Sequence, residues 1–154
     1  MFGREVEMPR LTSWHGDPDA SYRYSGRTFT PQPWTPLLAV IRERLHARLG
    51  VRFDAVLANY YRDGGDAMGW HADDEHELGP AAPHDVLVAS VSLGAARRFV
   101  LRARDRSQRI ELRLGGGDLL VMGGATQRDY QHAVPRQRAP IGARLNLTFR
   151  LLRG

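Results

Sequence analysis

A series of short extended segments separated by glycines fills the second half of the chain, and this series most constrains the fold. Runs of apolar, β-branched and aromatic residues predict six strands, at 53–61, 85–93, 98–102, 109–114, 118–122 and 144–151. Glycines at 64–65, 94, 115–117 and 123–124 separate them. The triple glycine is read as a turn, because no Lys-Ser/Thr helix follows it. Short strands at fairly regular spacing favour a sandwich or barrel of the jelly-roll type.

One amphipathic helix is predicted before these strands. Thr35 is a candidate N-cap, Pro36 takes the first helical position and Gly50 marks the end. Apolar residues recur at helical spacing at positions 37, 38, 41, 45 and 49. We expect the arginines at 42, 44 and 48 to form a solvated face.

The region before the helix is broken by prolines and glycines, which predicts loops and short strands there. The chain is therefore expected to be mainly β with a flanking helix. We expect a single domain over 1–154, in which 1–33 precedes the helical region 34–50 and the jelly-roll core 51–154.

The composition narrows the chemistry. The chain has no cysteine, which excludes disulfides, thiolate zinc sites and a cysteine nucleophile and suits a reducing cytoplasm. It has no apolar run long enough to span a membrane and no signal-peptide pattern, so we expect a cytoplasmic protein without a membrane partner. All 22 basic residues are arginine, against 17 acidic residues. The net charge of +5 allows a nucleic-acid partner, although a generally basic surface is the more common meaning of such a charge balance. We expect a monomer.

Two histidines and one aspartate form a candidate metal site. His71 and Asp73 are two residues apart, so in an extended segment both point to the same side. With His132 they make the 2-His-1-carboxylate set that is typical of non-haem Fe(II) oxygenases. The same donors suit a zinc hydrolase. The neighbouring acidic residues are also compatible with a solvated acidic turn.

The last predicted strand has one polar and one apolar face. Arg144, Asn146, Thr148 and Arg150 alternate with Leu145, Leu147, Phe149 and Leu151. A half-exposed strand with its polar face in water would explain this pattern. Inside a jelly roll, however, two arginines need anionic partners. A dicarboxylate ligand would supply them, because arginine binds carboxylates in a planar, bidentate geometry.

Taken together, the motifs of the chain resemble those of the AlkB family of Fe(II)- and 2-oxoglutarate-dependent dioxygenases. The resemblance covers nearly the whole chain and rests on Asn59-Tyr60-Tyr61, His71 to Glu75, Ser90 to Gly94, Asp118 to Leu120, His132 and Arg144 to Arg150. It implies a double-stranded β-helix that uses Fe(II), 2-oxoglutarate and O2. It implies that His71, Asp73 and His132 hold the iron and that Asn59, Tyr61, Arg144, Asn146 and Arg150 bind 2-oxoglutarate. Arg144 would contact the distal carboxylate, and Arg150 would lie near the metal-chelating end.

The resemblance also implies a substrate. Members of the family demethylate 1-methyladenine and 3-methylcytosine in DNA, forming succinate and formaldehyde, and this chain looks closest to the branch that repairs duplex DNA. By analogy, Tyr24 would stack on the flipped base, Glu75 would read its exocyclic amino group, and Phe2 would wedge into the gap that the base leaves. The region 1–33 would then recognise the nucleotide.

The chain also departs from the family pattern. It begins at the hairpin that carries Phe2, so we expect an N-terminally short fold. Tyr60 and Gln131 differ from the residues that are common at their positions, which puts pocket details in doubt. Two alternatives stay open at this point: an oxygenase that acts on RNA, protein or a small molecule, and a non-catalytic jelly-roll binding module.

Overall fold

The structure, a computed structural model, describes residues 10–24, 27–79 and 81–152, without the side chains of 22–24. Its strands are β1 (Leu11–Gly16), β2 (Tyr22–Tyr24), β3 (Arg27–Phe29), β4 (Ala55–Tyr61), β5 (Met68–His71), β6 (Val88–Gly94), β7 (Arg97–Ala103), β8 (Arg109–Leu114), β9 (Asp118–Met122), β10 (Tyr130–Val134) and β11 (Arg144–Arg150). Its helices are α1 (Pro36–Leu49) and the short α2 (Thr126–Asp129), and His76–Leu78 form a 3-10 turn.

The strands form two antiparallel sheets in jelly-roll order. One sheet has the order β1-β4-β11-β6-β9, and the other has the order β5-β10-β7-β8. Strands β2 and β3 form a separate hairpin. From β4 onward the chain crosses repeatedly from one sheet to the other, so strands that are neighbours in a sheet are distant in sequence. This is the double-stranded β-helix that the sequence predicts.

Two layers of apolar side chains hold the five-stranded sheet in place. Its inner face packs on the four-stranded sheet through a core that includes Tyr61, Val88, Phe99, Leu101 and Val134. Its outer face packs on α1 through a second core that includes Leu45, Phe53, Val56, Leu147 and Phe149. The sheet is therefore covered on both faces, and the polar face of β11 points into the space between the sheets.

The ends of α1 are those predicted. Thr35 Oγ1 accepts a hydrogen bond from the Leu38 backbone N–H at 3.2 Å, which satisfies one of the free amides of the first turn. Gly50 closes the helix in the left-handed region at φ +71°, where glycine adopts the conformation at little cost.

The faces of α1 were predicted less well. Leu37 is 70% exposed, whereas Arg42 is buried. The Arg42 guanidinium lies 4.4 Å from the centre of the Trp34 ring and 3.2 Å from an Asp17 carboxylate oxygen. The predicted solvated face is therefore wrong at Arg42, because the segments before the helix fold back over it. Arg44 and Arg48 are exposed, as expected.

Two strands were not predicted from the sequence. Strands β5 and β10 are four and five residues long and lack a clear run of β-branched residues. They lie side by side in the four-stranded sheet, and they carry two of the candidate metal ligands. Among the described residues, no helix is both long and apolar enough to cross a membrane; the cytoplasmic location stays a prediction.

Candidate active site

The structure brings His71, Asp73 and His132 together between the two sheets. His71 ends β5 and pairs in register with His132 on β10, and Asp73 follows two residues later. One potential ligand atom from each residue lies within 4.8 Å of the other two. The Nε2 atoms of His71 and His132 lie 4.0 and 3.9 Å from the Asp73 carboxylate oxygens. This arrangement can hold one metal ion from one side.

Neighbouring groups orient these three side chains. His71 Nδ1 lies 2.8 Å from the Gly69 carbonyl oxygen, to which it donates, so its Nε2 keeps the lone pair that a metal needs. The Phe99 ring stacks on the His132 imidazole at 5.3 Å. The Asp73 backbone N–H donates to Gln127 Oε1 at 2.8 Å. Gln127 is fully buried on α2, so this hydrogen bond fixes the loop that carries Asp73 to a buried side chain.

The electrostatics of the cluster favour metal-binding protonation states. Burial raises the pKa of Asp73, but Arg150, His132 and His71 together outweigh it and hold this pKa below its ordinary value. Arg150 Nη2 lies 3.1 Å from Asp73 Oδ1. Burial lowers the pKa of His132 to about 4. At neutral pH the aspartate is therefore ionised and His132 is neutral, which is the form in which both donate lone pairs.

Two buried guanidiniums lie in the same cavity, whose volume is about 620 Å³. Arg144 and Arg150 project inward from β11 and are 1% and 7% exposed. Arg144 Nη2 donates to Ser92 Oγ at 2.9 Å, but Arg144 Nε and Nη1 and Arg150 Nε have no hydrogen-bond partner within the described structure. Buried unpaired donors on charged groups are costly. A ligand with two carboxylates would pair them, so the cavity fits 2-oxoglutarate.

The other predicted cofactor residues line this cavity as well. Asn146 Nδ2 donates to Ser90 Oγ at 2.6 Å, and Asn59 Oδ1 accepts from Arg10 Nε at 2.9 Å. The Tyr61 ring lies beside the Arg144 guanidinium, 5.1 Å from it. All five predicted residues therefore converge on one pocket, and their binding of 2-oxoglutarate stays a prediction.

Three residues that support this site were not predicted as part of it. Ser90 and Ser92 on β6 hold Asn146 and Arg144 through their hydroxyls. The sequence does contain a signal for these serines: two hydroxyl residues, spaced two apart and so on the same face, interrupt an otherwise apolar strand. No comparable signal exists for Gln127, whose partner is 54 residues away in the sequence.

Of the predicted substrate residues, one is placed in the pocket. Glu75 lines the cavity, and its Oε2 is buried without a hydrogen-bond partner in the described structure. Burial raises the pKa of Glu75. It is therefore not part of a solvated turn. Tyr24 pairs with Arg27 in the β2–β3 hairpin, but its side chain, like the whole of Phe2, lies outside the described residues.

A His-Asp-His cluster beside two buried guanidiniums, inside a double-stranded β-helix, is the arrangement typical of oxygenases that use Fe(II) and 2-oxoglutarate. The chain belongs to the 2OG-Fe(II) oxygenase superfamily, whose sequence model matches residues 3–150, and within it to the AlkB family.

Named relatives support this placement. The chain is 40% identical to the DNA oxidative demethylase ALKBH2 of Mus musculus in an alignment of 158 positions, which covers 97% of this chain and 64% of the relative. It is 40% identical to the alpha-ketoglutarate-dependent dioxygenase alkB homolog 3 of Rattus norvegicus over 93% of this chain and 50% of that protein. The solved structure of OsALKBH1 superposes with a TM-score of 0.68 at 20% identity, covering 94% of this chain and 78% of that one. The chain thus spans half to two thirds of the length of these curated relatives.

Proposed function

We propose that this chain oxidatively demethylates N-alkylated bases such as 1-methyladenine and 3-methylcytosine in DNA. The observation that carries the proposal is the single cavity in which His71, Asp73 and His132 face the unpaired donors of Arg144 and Arg150. Its similarity to proteins named as DNA oxidative demethylases supports the choice of substrate.

In this proposal the histidines and Asp73 hold Fe(II), and the two arginines bind 2-oxoglutarate. Fe(II) held there would supply the oxidation: 2-oxoglutarate and O2 would yield succinate and carbon dioxide, the second oxygen atom would hydroxylate the N-methyl group, and the hydroxymethyl product would lose formaldehyde. A zinc hydrolase fits less well, because its reaction uses no dicarboxylate cosubstrate that would pair with the two buried guanidiniums.

The residues of the chain bind and orient the metal, the cosubstrate and the target base. Arg150 lies 3.1 Å from Asp73 and has an unpaired Nε, so one guanidinium would contact both the metal ligand and a carboxylate of the cosubstrate. The serine hydroxyls fix Arg144 and Asn146 before the ligand arrives, which lowers the ordering cost of binding. Glu75 lines the cavity, and its buried, unpaired Oε2 can accept a hydrogen bond from the exocyclic amino group of a flipped base.

The test is release of products by the iron-loaded protein. Coupled succinate and formaldehyde release from oligonucleotides that carry 1-methyladenine or 3-methylcytosine is expected. Release of succinate without formaldehyde would support an oxygenase activity and would exclude these bases as its substrates. Release of neither product would contradict the proposal and would favour a non-catalytic module. Comparing methylated DNA, methylated RNA and free nucleoside then identifies the preferred substrate.

A pair of variants links the activity to the site. His71→Ala removes one candidate ligand and should abolish formaldehyde release. His76→Ala is the matched control, because His76 is five residues away with a side chain 87% exposed. Full activity in His71→Ala would show that His71 is not required for metal binding.

A further inference from the structure

Four arginines lie on the outer face of the four-stranded sheet, on strands β7 and β8. They are Arg98, Arg102, Arg109 and Arg113, which we call the arginine face. The register sets Arg102 directly opposite Arg109 and Arg98 directly opposite Arg113. Their side chains share one face because residues two apart on a strand point the same way. Their apolar neighbours, such as Phe99 and Leu101, pack into the core on the other side.

This arrangement is unfavourable for the fold alone. Like charges directly opposite each other in an antiparallel pair destabilise it. Glu111 is the one acidic residue of these two strands, and its side chain lies among the four arginines and pairs with Arg98 at 2.7 Å. Four arginines and one glutamate leave a net charge of +3 on this surface. Arg109 and Arg113 are exposed, so an external anion can reach them.

The arginine face contacts two residues that line the candidate active-site cavity. The Arg102 guanidinium lies 4.1 Å from the centre of the Trp70 ring, and Arg102 Nη2 donates to Gln131 Oε1 at 3.2 Å. Both Trp70 and Gln131 line the cavity, and each directly precedes a candidate metal ligand in the sequence. Trp70 is 36% exposed. A nucleic-acid strand with one base in the cavity would therefore lie close to the Trp70 ring and to the arginines beyond it.

We propose that the arginine face binds the phosphate backbone of a single-stranded segment that flanks the base in the cavity, with Trp70 contacting a neighbouring unpaired base. This inference rests on the proposed function. Arginine suits phosphate because its planar group donates two parallel hydrogen bonds. An exposed aromatic ring next to a cationic track is the combination that proteins use for single strands, because every base has a face that can stack.

The test is the salt dependence of binding, which needs no turnover. Arg109→Gln with Arg113→Gln removes one arginine from each opposing pair, and it relieves repulsion, so the variant should be at least as stable as the wild type. The matched control is Arg44→Gln with Arg48→Gln, which makes the same charge change at exposed positions on α1, packed on the other sheet. The probe is an unmodified single-stranded oligonucleotide followed by fluorescence anisotropy.

If two phosphate contacts are lost, the slope of log K against log salt should fall in magnitude by about 1.4, since each contact to a single strand contributes roughly 0.7. Between about 50 and 200 mM salt, the affinity of the variant should change roughly sevenfold less than that of the wild type. The control should keep the wild-type slope. Equal slopes in the wild type and the arginine-face variant would overturn the proposal.

Two further measurements separate this inference from the proposed function. Turnover of a free methylated nucleoside, which lacks phosphates, should be the same in the wild type and the arginine-face variant. Loss of nucleoside turnover in the variant would show that the substitutions disturb the active site and would contradict the proposal. Trp70→Ala should weaken single-strand binding more than duplex binding; an equal effect on both would contradict the assignment of a single strand. If no methylated substrate is turned over, the proposed function fails while the salt slopes still test the arginine face.

Discussion

Replacing Gln127 with leucine tests whether a buried amide on α2 holds the metal-binding loop in place. The side chain is fully buried, and its Oε1 accepts the Asp73 backbone N–H at 2.8 Å. Leucine is similar in size but accepts no hydrogen bond. In the variant the Asp73 amide either stays buried without a partner or moves to reach water, and the carboxylate moves with it.

The expected magnitude follows from this one contact. Leaving a buried N–H without an acceptor costs about 1–3 kcal/mol, so the apo protein should lose roughly that much free energy of unfolding. Replacing a residue that hydrogen-bonds to a metal-binding residue and orients it typically lowers metal affinity about 10–100-fold. We therefore expect Gln127→Leu to bind Fe(II), or Mn(II) as its air-stable substitute, about 10–100-fold more weakly than the wild type.

The assay combines urea unfolding of the metal-free protein with calorimetric titration of Mn(II). Gln137→Leu is the control, because the Gln137 side-chain oxygen accepts from Arg97 Nε at 3.2 Å and from the Arg98 N–H at 3.1 Å, in a part of the fold that holds none of the candidate ligands. Both variants should be destabilised, but only Gln127→Leu should lose metal affinity. Equal metal affinity in the two variants would refute the positioning role.

Three other outcomes are expected. Arg144→Met should raise the 2-oxoglutarate KM by at least about tenfold, because a charge-assisted contact worth roughly 1.5–3 kcal/mol is lost; an unchanged KM would remove Arg144 from the cosubstrate site. Gly94→Ala should destabilise the fold by about 1–2 kcal/mol and more than Gly123→Ala does in thermal unfolding, because Gly94 has φ +83° and an added Cβ would lie 2.6 Å from the Ala143 carbonyl oxygen. Hydrogen bonds from Arg62 hold the pKa of Asp66 below its ordinary value, so its contribution is present at neutral pH and is lost as the pH falls through the lowered pKa. Asp66→Asn should therefore reduce the free energy of unfolding at about pH 7, and by progressively less as the pH falls below about 4, the ordinary pKa of an aspartate; a loss that does not change with pH would contradict this.

The elements that could be predicted from the sequence are those whose signals are local. The two caps of α1 depend on Thr35, Pro36 and Gly50, and each acts on backbone groups within four residues of itself. The alternation along β11 also survives folding, because the period of two is a property of the strand backbone. Strands β5 and β10 lack such a signal. They are short, and they become strands because β5 pairs with β10 and β10 pairs with β7.

The candidate ligands could be named from the sequence because their chemistry is restricted to a few residue types and because the motifs resemble those of a known family. The residues that hold them in place were not named. Gln127 gives no signal in the sequence, because its partner is 54 residues away. Ser90 and Ser92 alternate within an apolar strand, but only the fold shows that they hold Asn146 and Arg144, which are 56 and 52 residues away. The burial of Arg42 was missed because it depends on Trp34 and Asp17, which only the folded chain brings against this face of the helix.

The sequence by itself determined the residue types of the site, the ends of the helix and the two faces of the last strand, because these depend on side-chain chemistry and on backbone periodicity. The tertiary structure decided which strands became neighbours. That choice placed His71 beside His132 and put Arg150 against Asp73. Sheet register arises from long-range packing of whole strands, so no local stretch of sequence contains it.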